Sequence, residues 1–532
     1  MVNFDTDILI IGSGLAGLRA AIEAAQNGVN TIVVSKSSKE LSSNSVLAGG
    51  GFCMAVPGFS GEDHIMATLT AGKNLNDREL VQELAVNGPK EVEFLKRVGV
   101  DLIPKPFGYW VDRRGESGKT TGGRIIISKL IHAACGYSRI QFISNVYVYK
   151  ILVEDNQVLG VIGISKEGQP CLISSKAIIL AAGGGGAIYK RNDNHKRILG
   201  DGYALALEIG LPLFDMEFIQ FYPFGFADPD LPQGTIHPPF PEQAMMLDAD
   251  GNDFLKKYEI RMDLYRFVVA ARDEASYLIY RESQKGKVFM DYTHIPDEKW
   301  DEYPLSLFPK KRFNFREKPF QIAPVTHFFM GGIKIKPSCE TDIRGLFAAG
   351  EVTSGVHGAN RRGGNALTEC LVFGANSGLS ASLYAKASVL RKPSFNGGEW
   401  LKSLIRGKES SKTRPEFLRF LKEIREIAWR YAGPIRNELG LKRALSLLDT
   451  MSQDLQNIEV SNPRELILRK EVENSLLVLK TIVLSSLARR ESRGAFQREE
   501  YPEEGGTAFL KRVSVRMRRA EKDIEVDWED RP

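Results

Sequence analysis

The strongest constraint on the fold is a glycine motif that directly follows an apolar run near the start of the chain. Residues 8–11 predict a buried parallel strand, and the motif G-x-G-x-x-G follows at 12–17. The periodicity of 16–26 indicates a helix, and 31–35 has the composition of a second strand. In such a unit the glycines allow a tight turn, close approach of a pyrophosphate and close helix–strand packing. The sequence therefore predicts a dinucleotide site at the helix N-terminus.

Three features further along the chain bear on the kind of dinucleotide. A nicotinamide site has an acid for the ribose at the end of the second strand, but this chain has Ser35-Lys36. The run of small residues at 43–51 has two interpretations: a backbone segment that lies against a flat ligand, or a flexible loop. Asp201, which opens a predicted helix ending near 209, either accepts from a ribose or caps that helix. The missing acid after the second strand weakens the nicotinamide alternative.

Composition limits the class of protein. A chain of 532 residues is too long for one ordinary core and predicts two to four domains. Its net charge of +5 is small for this length, so no nucleic acid partner is expected. Five scattered cysteines without a C-x-x-C pair predict no disulfide framework and no metal site. We expect a cytoplasmic protein without signal peptide or membrane span, which contacts a membrane only through partners.

Periodicity predicts the remaining organisation. The alternating segment 140–164, with a turn at 154–156, predicts strands of a small antiparallel layer. Proline clusters between about 227 and 320 predict an inserted, mobile domain, and the charged tail predicts a solvated strand or hairpin. Helical periodicity is found in seven further segments: 77–98, 122–134, 263–281, 366–385, 415–431, 439–454 and 464–488.

Several longer motifs show which family the chain resembles. They are Gly200-Asp-Gly202, Asp215-Met-Glu-Phe-Ile-Gln-Phe-Tyr-Pro223, His327-Phe-Phe-Met-Gly-Gly-Ile333, the stretch 345–352, His357-Gly-Ala-Asn-Arg361 and Glu491-Ser-Arg-Gly-Ala495. Together with 12–17 and 43–51 they resemble the succinate dehydrogenase/fumarate reductase flavoprotein family, which includes L-aspartate oxidase. The resemblance covers nearly the whole chain.

The resemblance implies an α/β fold with a Rossmann-like FAD-binding domain, an inserted α+β capping domain and a C-terminal helical domain. The expected boundaries are 1–226 and 328–392 for the two parts of the FAD-binding domain, 227–327 for the capping domain, 393–495 for the helical domain and 496–532 for a tail.

The resemblance also implies FAD as the cofactor. Many respiratory members have a histidine at the position of Asn44 that bonds covalently to FAD; an amide cannot form this bond, so we predict non-covalent FAD. The residues expected to hold it are Gly12, Ser13, Gly14, Leu15, Ala16, Gly17, Ser35, Lys36, Ser43, Asn44, Ala48, Gly49, Gly50, Val148, Gly183, Asp201, Glu351, Asn365, Ala366 and Leu367.

Four residues match family positions that act on the substrate. Arg272 matches the arginine that delivers a proton to the substrate carbon in fumarate reductases. His327 and Arg361 match residues that grip a carboxylate, which guanidinium groups bind in a bidentate manner. Tyr222 stands where the family usually has a substrate-contacting histidine. The alternatives are a salt-bridged helix arginine for Arg272 and a core histidine for His327.

One segment departs from the family pattern. The family has a Thr-Glu pair followed by Arg-Gly-Glu near 234–242, whereas this chain has Thr235-Ile-His-Pro-Pro-Phe-Pro-Glu242. The glutamate that relays protons to the catalytic arginine is therefore expected to be absent, together with one clamp for a second carboxylate. His237 and Glu242 are candidate substitutes. We expect the flavin chemistry to be kept in an altered substrate pocket.

The resemblance predicts an FAD-dependent oxidoreductase that moves hydride between flavin N5 and a carbon adjacent to a carboxylate or acyl group of a small substrate. It also implies the flavoprotein subunit of an electron-transfer complex whose iron–sulfur subunit is a separate chain. One alternative is an enzyme similar to L-aspartate oxidase. The other is an electron-transfer flavoprotein without substrate chemistry.

Overall fold

The computed structural model describes residues 2–38, 43–114, 120–238, 240–302, 304–308, 313–407, 413–518 and 523–530. The helices in these ranges are α1 (Leu15–Gln26), α2 (Asn44–Leu47), α3 (Gly61–Ala71), α4 (Arg78–Arg97), α5 (Gly122–Cys135), α6 (Asp201–Glu208), α7 (Phe254–Lys257), α8 (Leu264–Ala270), α9 (Arg272–Ser283), α10 (Asn365–Ala387), α11 (Gly397–Leu404), α12 (Thr413–Tyr431), α13 (Glu438–Gln456) and α14 (Pro463–Ala488).

The strands in the same ranges are β1 (Val2–Ile11), β2 (Thr31–Ser35), β3 (Gly51–Cys53), β4 (Leu102–Lys105), β5 (Gly108–Val111), β6 (Ile140–Ser144), β7 (Val146–Glu154), β8 (Gln157–Ser165), β9 (Pro170–Leu180), β10 (Leu213–Phe214), β11 (Ile219–Phe226), β12 (Met245–Leu247), β13 (Val288–Asp291), β14 (Phe320–Phe329), β15 (Gly332–Ile333), β16 (Leu346–Ala348), β17 (Lys511–Arg518) and β18 (Asp523–Asp530).

The central sheet has the strand order β6-β2-β1-β9-β8-β7, and β16 pairs with the end of β9. β6, β2, β1, β9 and β16 run parallel, and residues 8–11 of β1 are buried, as their apolar run predicts. Helix α1 packs against α10, where a Cβ at Gly374 would lie 2.8 Å from the carbonyl oxygen of Ala16. The carboxyl ends of the parallel strands thus meet at one edge, where open α/β sheets bind ligands.

The structure corrects the predicted small antiparallel layer at 140–164. β6 is a parallel edge strand of the central sheet, next to β2. β7 and β8 are antiparallel, with a turn at Asp155 and Asn156, but they join the central sheet through the first half of β9. The alternating pattern identified the strands correctly. It carries no information on whether a neighbouring strand from elsewhere in the chain is parallel.

A second hydrophobic cluster lies between Tyr222 and Val325, around the antiparallel sheet β11-β14-β13-β12. The single helix predicted over 263–281 is wrong. It is two helices, α8 and α9, separated at Ala271 (φ −123°, ψ 38°), and the break places Arg272 at the first position of α9. The predicted domain boundaries at 226, 327, 392 and 495 stay predictions.

The C-terminal part contains three long helices and a strand pair. α12, α13 and α14 pack on one another, as predicted for the helical segments. The tail forms the antiparallel pair β17–β18, but only β18 is largely exposed, because β17 pairs with β10 and buries Val513 and Val515. The prediction of a solvated strand or hairpin is therefore correct in that the tail forms an antiparallel strand pair, but its solvent exposure is correct for β18 alone. The three-stranded sheet β3-β5-β4 was not predicted, since its strands are only three or four residues long.

The predicted helices outside the capping segment are confirmed with ends shifted by two residues or fewer. Within the described ranges, no helix is both long enough and apolar enough to cross a membrane. The same ranges contain no group of three or more His, Cys, Asp or Glu side chains placed to hold a metal ion.

Candidate active site and cofactor cleft

A cleft lies at the carboxyl ends of β1, β2, β9 and β16, and it contains about 940 Å³ of space without protein atoms, part of which is open solvent. The predicted cofactor residues that line it are Gly12, Ser13, Gly14, Leu15, Ala16, Ser35, Lys36, Ser43, Asn44, Val148, Gly183, Asp201 and Glu351. The strand ends add residues that the prediction missed, including Val34, Ala181, Ala182, Ala349 and Gly350.

The other predicted cofactor residues lie outside the lining of this cleft: Gly17, Ala48, Gly49, Gly50, Asn365, Ala366 and Leu367. Gly17 serves the turn, because a Cβ there would lie 2.0 Å from the carbonyl oxygen of Gly12. Gly50 packs against Gly122, where a Cβ would approach to 2.8 Å. The Asn365 side chain is bonded to His64 (2.8 Å) and Thr68 (3.0 Å).

The shape of the cleft fits an anionic dinucleotide. Gly12 has φ +117°, and a Cβ there would lie 2.2 Å from the carbonyl oxygen of Ala181, so only glycine leaves the turn open. Helix α1 points its N-terminus at the cleft, and its first turn carries no acidic residue and no side-chain cap from Gly14. The Leu15 N–H donates to the Ser45 hydroxyl (3.1 Å), and the positive end of the helix still favours a phosphate.

Asp201 lines the cleft and is held by several polar partners. Its carboxylate is paired with Lys36 and accepts from the Tyr147 hydroxyl (2.9 Å) and the Asn474 amide (3.0 Å). Burial raises the pKa of Asp201, but Lys36 and these hydrogen bonds outweigh burial and hold it below its ordinary value. Gly200 is the N-cap residue of α6, and the side chain of Asp201 makes no capping bond. Asp201 therefore does not cap α6, and its carboxylate is a hydrogen-bond acceptor of the cleft.

Asn44 and Glu351 also line the cleft. The Asn44 amide donates to Asn194 Oδ1 (2.5 Å) and Glu351 Oε2 (3.4 Å), and its oxygen accepts from the His195 N–H (2.9 Å). Burial raises the pKa of Glu351 to about 7, although a bond from the Phe329 N–H (3.2 Å) opposes the shift. Asn44 is thus fixed by three polar neighbours at the edge of the cleft.

A second cluster of polar groups converges between β11, β14 and α9. Gln220 Oε1 accepts from Arg272 (3.2 Å) and from Arg361 (2.7 Å), so a single amide oxygen bridges two guanidinium groups. The Nε atoms of both arginines are buried without a hydrogen-bond partner. Burial and the charge of Arg272 lower the pKa of Arg361 to about 9. Two concentrated, incompletely paired positive charges favour an anion here.

His327 completes this cluster. Its Nδ1 lies 2.6 Å from Asp193 Oδ2, and its ring lies 5.5 Å from the Tyr222 ring. Arg272 is placed over the same Tyr222 ring at 5.5 Å, and the His237 ring lies 5.7 Å from it. Burial lowers the pKa of His237 to about 4, so this imidazole is neutral at pH 7. The structure thus brings the predicted residues Arg272, His327, Arg361 and Tyr222 together.

The structure separates the two candidate substitutes for the missing family glutamate. His237 belongs to the cluster and bonds to the Thr235 hydroxyl (2.9 Å), whereas Glu242 is exposed. The Tyr222 hydroxyl donates to the carbonyl of Ile236 (2.8 Å). This bond connects its side chain to the segment 235–242, which differs from the family pattern. Within the described residues Arg272 donates to Gln220 Oε1 (3.2 Å) and forms no salt bridge, which counts against the salt-bridged alternative.

The family-model comparison decides the identity of the family. Residues 7–367 match the FAD binding domain model, and residues 421–531 match the model of the fumarate reductase flavoprotein C-terminal region. The chain belongs to the succinate dehydrogenase/fumarate reductase flavoprotein family. It is an FAD-dependent oxidoreductase of the kind that acts on CH–CH groups, and its cofactor is FAD.

Relatives of this flavoprotein cover nearly its full length. It is 35% identical to an uncharacterised FAD-dependent oxidoreductase of Methanocaldococcus jannaschii, over 94% of both chains. It is 33% identical to a subunit of the fumarate reductase (CoM/CoB) of Methanothermobacter marburgensis, over 94% of this chain and 95% of that one. It is 31% identical to the L-aspartate oxidase of Pyrococcus furiosus, over 93% and 96%.

A solved Escherichia coli quinol fumarate reductase has the same fold as this flavoprotein. The two are 27% identical, with a TM-score of 0.87 over 100% of this chain and 97% of that one. The predicted fold class, an α/β FAD-binding fold with a C-terminal helical part, is thereby confirmed.

Sequence reasoning missed several polar residues of the flavoprotein's second cluster: Gln220, Asp193, Asn360 and Asp273. Asn360 connects Gln220 (2.7 Å) with the half-buried Asp273, whose pKa burial raises to about 6. Gln220 and Asn360 lie inside the quoted family motifs, and this was the signal that could have identified them, since burial along β11 does not alternate. No sequence signal places Asp193 beside His327, because they are far apart in the chain.

Proposed function

We propose that the cluster around Gln220 binds the carboxylate or acyl end of a small substrate, next to the FAD cleft. The observation that carries this proposal is the pair of guanidinium groups bridged by one amide oxygen, with both Nε atoms unpaired. Buried charges of one sign are unfavourable unless a partner compensates them. A carboxylate would supply that partner and would satisfy the open donors.

Each side chain of the cluster has a role in this proposal. Arg361 and His327 hold the carboxylate, and the positive charges stabilise the enolate-like charge that develops on the substrate. Arg272, at the start of α9, holds the proton that is exchanged with the substrate carbon. Bound FAD supplies the hydride chemistry. In this proposal Tyr222, which stands in place of a family histidine, and the neutral His237, a candidate substitute for the missing glutamate, account for the altered pocket.

The proposal includes non-covalent FAD. Asn44 occupies the position where respiratory members have the linking histidine, and a carboxamide has no nucleophilic ring nitrogen for that bond. Its side chain is fixed to Asn194 and to the backbone of His195. Acid precipitation of the purified protein is expected to release all of the FAD into the supernatant. FAD that stays with the precipitate would contradict this part.

We also propose that a separate iron–sulfur subunit exchanges electrons with this chain in the cytoplasm and provides any membrane contact. One relative is named as one subunit of a fumarate reductase, and the E. coli protein as a quinol fumarate reductase. An enzyme similar to L-aspartate oxidase is the second candidate, because such oxidases are among the relatives. The incompletely paired arginines argue against a pure electron carrier, which has no need of them.

The test uses the purified FAD-loaded protein, reduced chemically without oxygen. Fumarate, other enoates and an enoyl thioester are added separately while flavin absorbance is followed, and L-aspartate with oxygen is tested on the oxidised protein. Reoxidation by one unsaturated acid or thioester supports the proposal. Turnover of L-aspartate would favour the second candidate. If no compound changes the flavin absorbance, both candidate enzymes are wrong and the electron carrier is favoured.

Arg272→Ala sharpens this test. Loss of a positioned proton donor is expected to slow reoxidation by the best substrate about 100- to 10,000-fold without loss of FAD. Arg281→Ala removes an exposed arginine of the same helix and serves as the matched control. If Arg272→Ala reoxidises at the rate of the control, Arg272 does not hold the transferred proton.

A further inference from the structure

The pair Asp193–His327 is the shortest contact of an imidazole in the substrate cluster. Asp193 Oδ2 and His327 Nδ1 are 2.6 Å apart, and the side chains keep 11% and 26% of their surface exposed. A carboxylate can only accept a hydrogen bond, so the ring proton lies on Nδ1. Nε2 is then the lone-pair nitrogen of the neutral ring, and no described group bonds to it. One nitrogen is thus fixed and the other is available to a ligand.

The surrounding backbone holds both members of the pair rigidly. The Asp193 N–H donates to the Thr326 carbonyl (3.2 Å), and the Thr326 N–H donates to the Arg191 carbonyl (2.9 Å). The Asn194 amide donates to Asp193 Oδ1 (3.2 Å) and to the Thr326 carbonyl (3.2 Å). The loop that carries Asp193 is therefore fastened to β14, the strand that carries His327. This is the geometry of a supporting residue that orients another side chain.

The same loop also reaches the cofactor cleft. Asn194 Oδ1 accepts from the Asn44 amide (2.5 Å), and Asn44 lines that cleft. Asp193 thus sits between the wall of the FAD site and the substrate cluster. Among its described residues, the segment 235–242, where the family has its relay glutamate, brings no carboxylate to the cluster: it contributes Thr235, the Ile236 carbonyl and the neutral His237. Asp193 is the carboxylate that the structure places against a substrate-facing imidazole.

We propose that Asp193 is a positioning residue that keeps the proton of His327 on Nδ1, directs Nε2 at the substrate, and allows the ring to take up a second proton when an anionic substrate binds. This inference rests on the proposed function of the same cluster. In this inference His327, supported by Asp193, gains the positive charge when the substrate binds, whereas His237 stays neutral.

The charges around His327 determine the direction in which its pKa is shifted. Burial lowers its pKa, Asp193 raises it, and the guanidinium groups of Arg361 and Arg272 lower it again. His237 on the capping loop is neutral, and the Tyr222 ring on β11 carries no charge. The net pKa lies below the ordinary value, so the ring is neutral at pH 7 in the empty site. A bound carboxylate offsets the two arginines and favours the protonated ring.

The first measurement is the tautomer of His327 in the FAD-loaded protein, by ¹⁵N NMR of histidine-labelled protein. The His327 signal is identified by its loss in His327→Gln. We expect the neutral ring to carry its proton on Nδ1 in the unchanged protein, and to lose this preference in Asp193→Ala. A proton on Nε2 in the unchanged protein would overturn the inference, whatever the substrate is.

The second measurement is proton uptake when malonate, a saturated dicarboxylate, binds to the oxidised protein. Calorimetry in two buffers of different ionisation enthalpy gives the number of protons. Asp193→Asn preserves the size of the side chain and removes its charge. We expect it to reduce proton uptake at pH 7, to weaken malonate binding about tenfold, and to lower by about one unit the pH above which binding fails. KM for an active enoate should rise more than kcat falls.

Asp449→Asn is the matched control, because Asp449 pairs with Lys480 on the exposed side of α13 and lies outside the site. It should leave proton uptake and the pH profile unchanged. If malonate binds and Asp193→Asn behaves like this control, the inference fails while the proposed function stands. If the unchanged protein binds neither malonate nor any enoate, the proposed function fails, and the NMR result decides the inference alone.

Discussion

At the scale of single residues, the substrate cluster depends on Gln220. Gln220→Ala removes the oxygen that accepts from Arg272 and Arg361, and leaves two like charges without a bridge. A hydrogen bond to a charged group contributes about 1.5–3 kcal/mol, so kcat/KM for the active substrate should fall roughly 10- to 100-fold. Steady-state kinetics at equal FAD content measures this change.

Two further variants isolate the cause. Gln220→Glu keeps the size of the side chain but adds a negative charge that competes with the substrate carboxylate, so KM should rise more than in Gln220→Ala. Gln284→Ala, at the exposed end of α9, should have no effect. Unchanged kcat/KM in Gln220→Ala would show that the arginines do not need the bridge.

Glu351 gives a prediction for pH. Burial raises its pKa from 4.5 to about 7 in the folded protein, so the folded state retains a proton that the unfolded chain releases. Its contribution to stability is fully present below pH 4.5 and is lost as pH rises through about 7. Between pH 5 and 8 the unfolding free energy of the FAD-free protein should therefore fall relative to Glu351→Gln, by about 3 kcal/mol at most.

Denaturant unfolding of both FAD-free proteins across this range tests the prediction. Other carboxyls with raised pKa values, such as those of Glu217 and Asp273, are present in both proteins and cancel in the difference. Parallel stability curves for the two proteins would mean that Glu351 is ionised throughout.

At the scale of elements, the β1–α1 turn requires glycine at position 17. A Cβ there would lie 2.0 Å from the Gly12 carbonyl oxygen and 3.3 Å from the Ile10 side chain, so the helix must move away from the strand. Gly17→Ala should reduce FAD content at least tenfold, because the helix N-terminus then leaves the phosphate position. FAD released per mole of purified protein is the measurement.

Gly61→Ala is the matched control for the turn. Gly61 is the first residue of α3, and a Cβ there meets no atom within 4 Å. It should keep full FAD content. Normal FAD content in Gly17→Ala would show that the turn relaxes without moving the helix.

At the scale of the whole molecule, a buried ion-pair network joins the C-terminal part to the start of β11. Arg489 is fully buried and pairs with Glu217 (2.6 Å) and Glu491 (2.8 Å). Arg489→Met would leave Glu217 without its ion-pair partner, whereas Glu491 keeps Arg493 (2.9 Å). Breaking a buried pair typically costs about 3–5 kcal/mol. We expect a large fall in the thermal unfolding midpoint.

The exposed pair Arg419–Glu423 provides the comparison for this prediction. Its side chains are 64% and 48% exposed, so Arg419→Met should change stability by only about 0.5 kcal/mol. Equal effects of the two substitutions would mean that water reaches the buried network.

The sequence by itself determined the elements that rest on local patterns. The glycine motif at 12–17 specified the first strand, the turn and α1, because those glycines are required within a few residues of one another. Helical periodicity located α4, α10 and α14 to within two residues. The longer motifs identified the family, and with it FAD and the residues Arg272, His327 and Arg361, which lie together in the structure.

Only the tertiary structure decided which distant residues meet. The break at Ala271 starts α9 at Arg272, although periodicity predicts one continuous helix. β6 joins the central sheet because it pairs with β2, a contact between segments more than a hundred residues apart. Asp193 reaches His327 because loop and strand hydrogen bonds hold them together across 134 positions. Local patterns fix backbone conformation, whereas these contacts depend on how the whole chain packs.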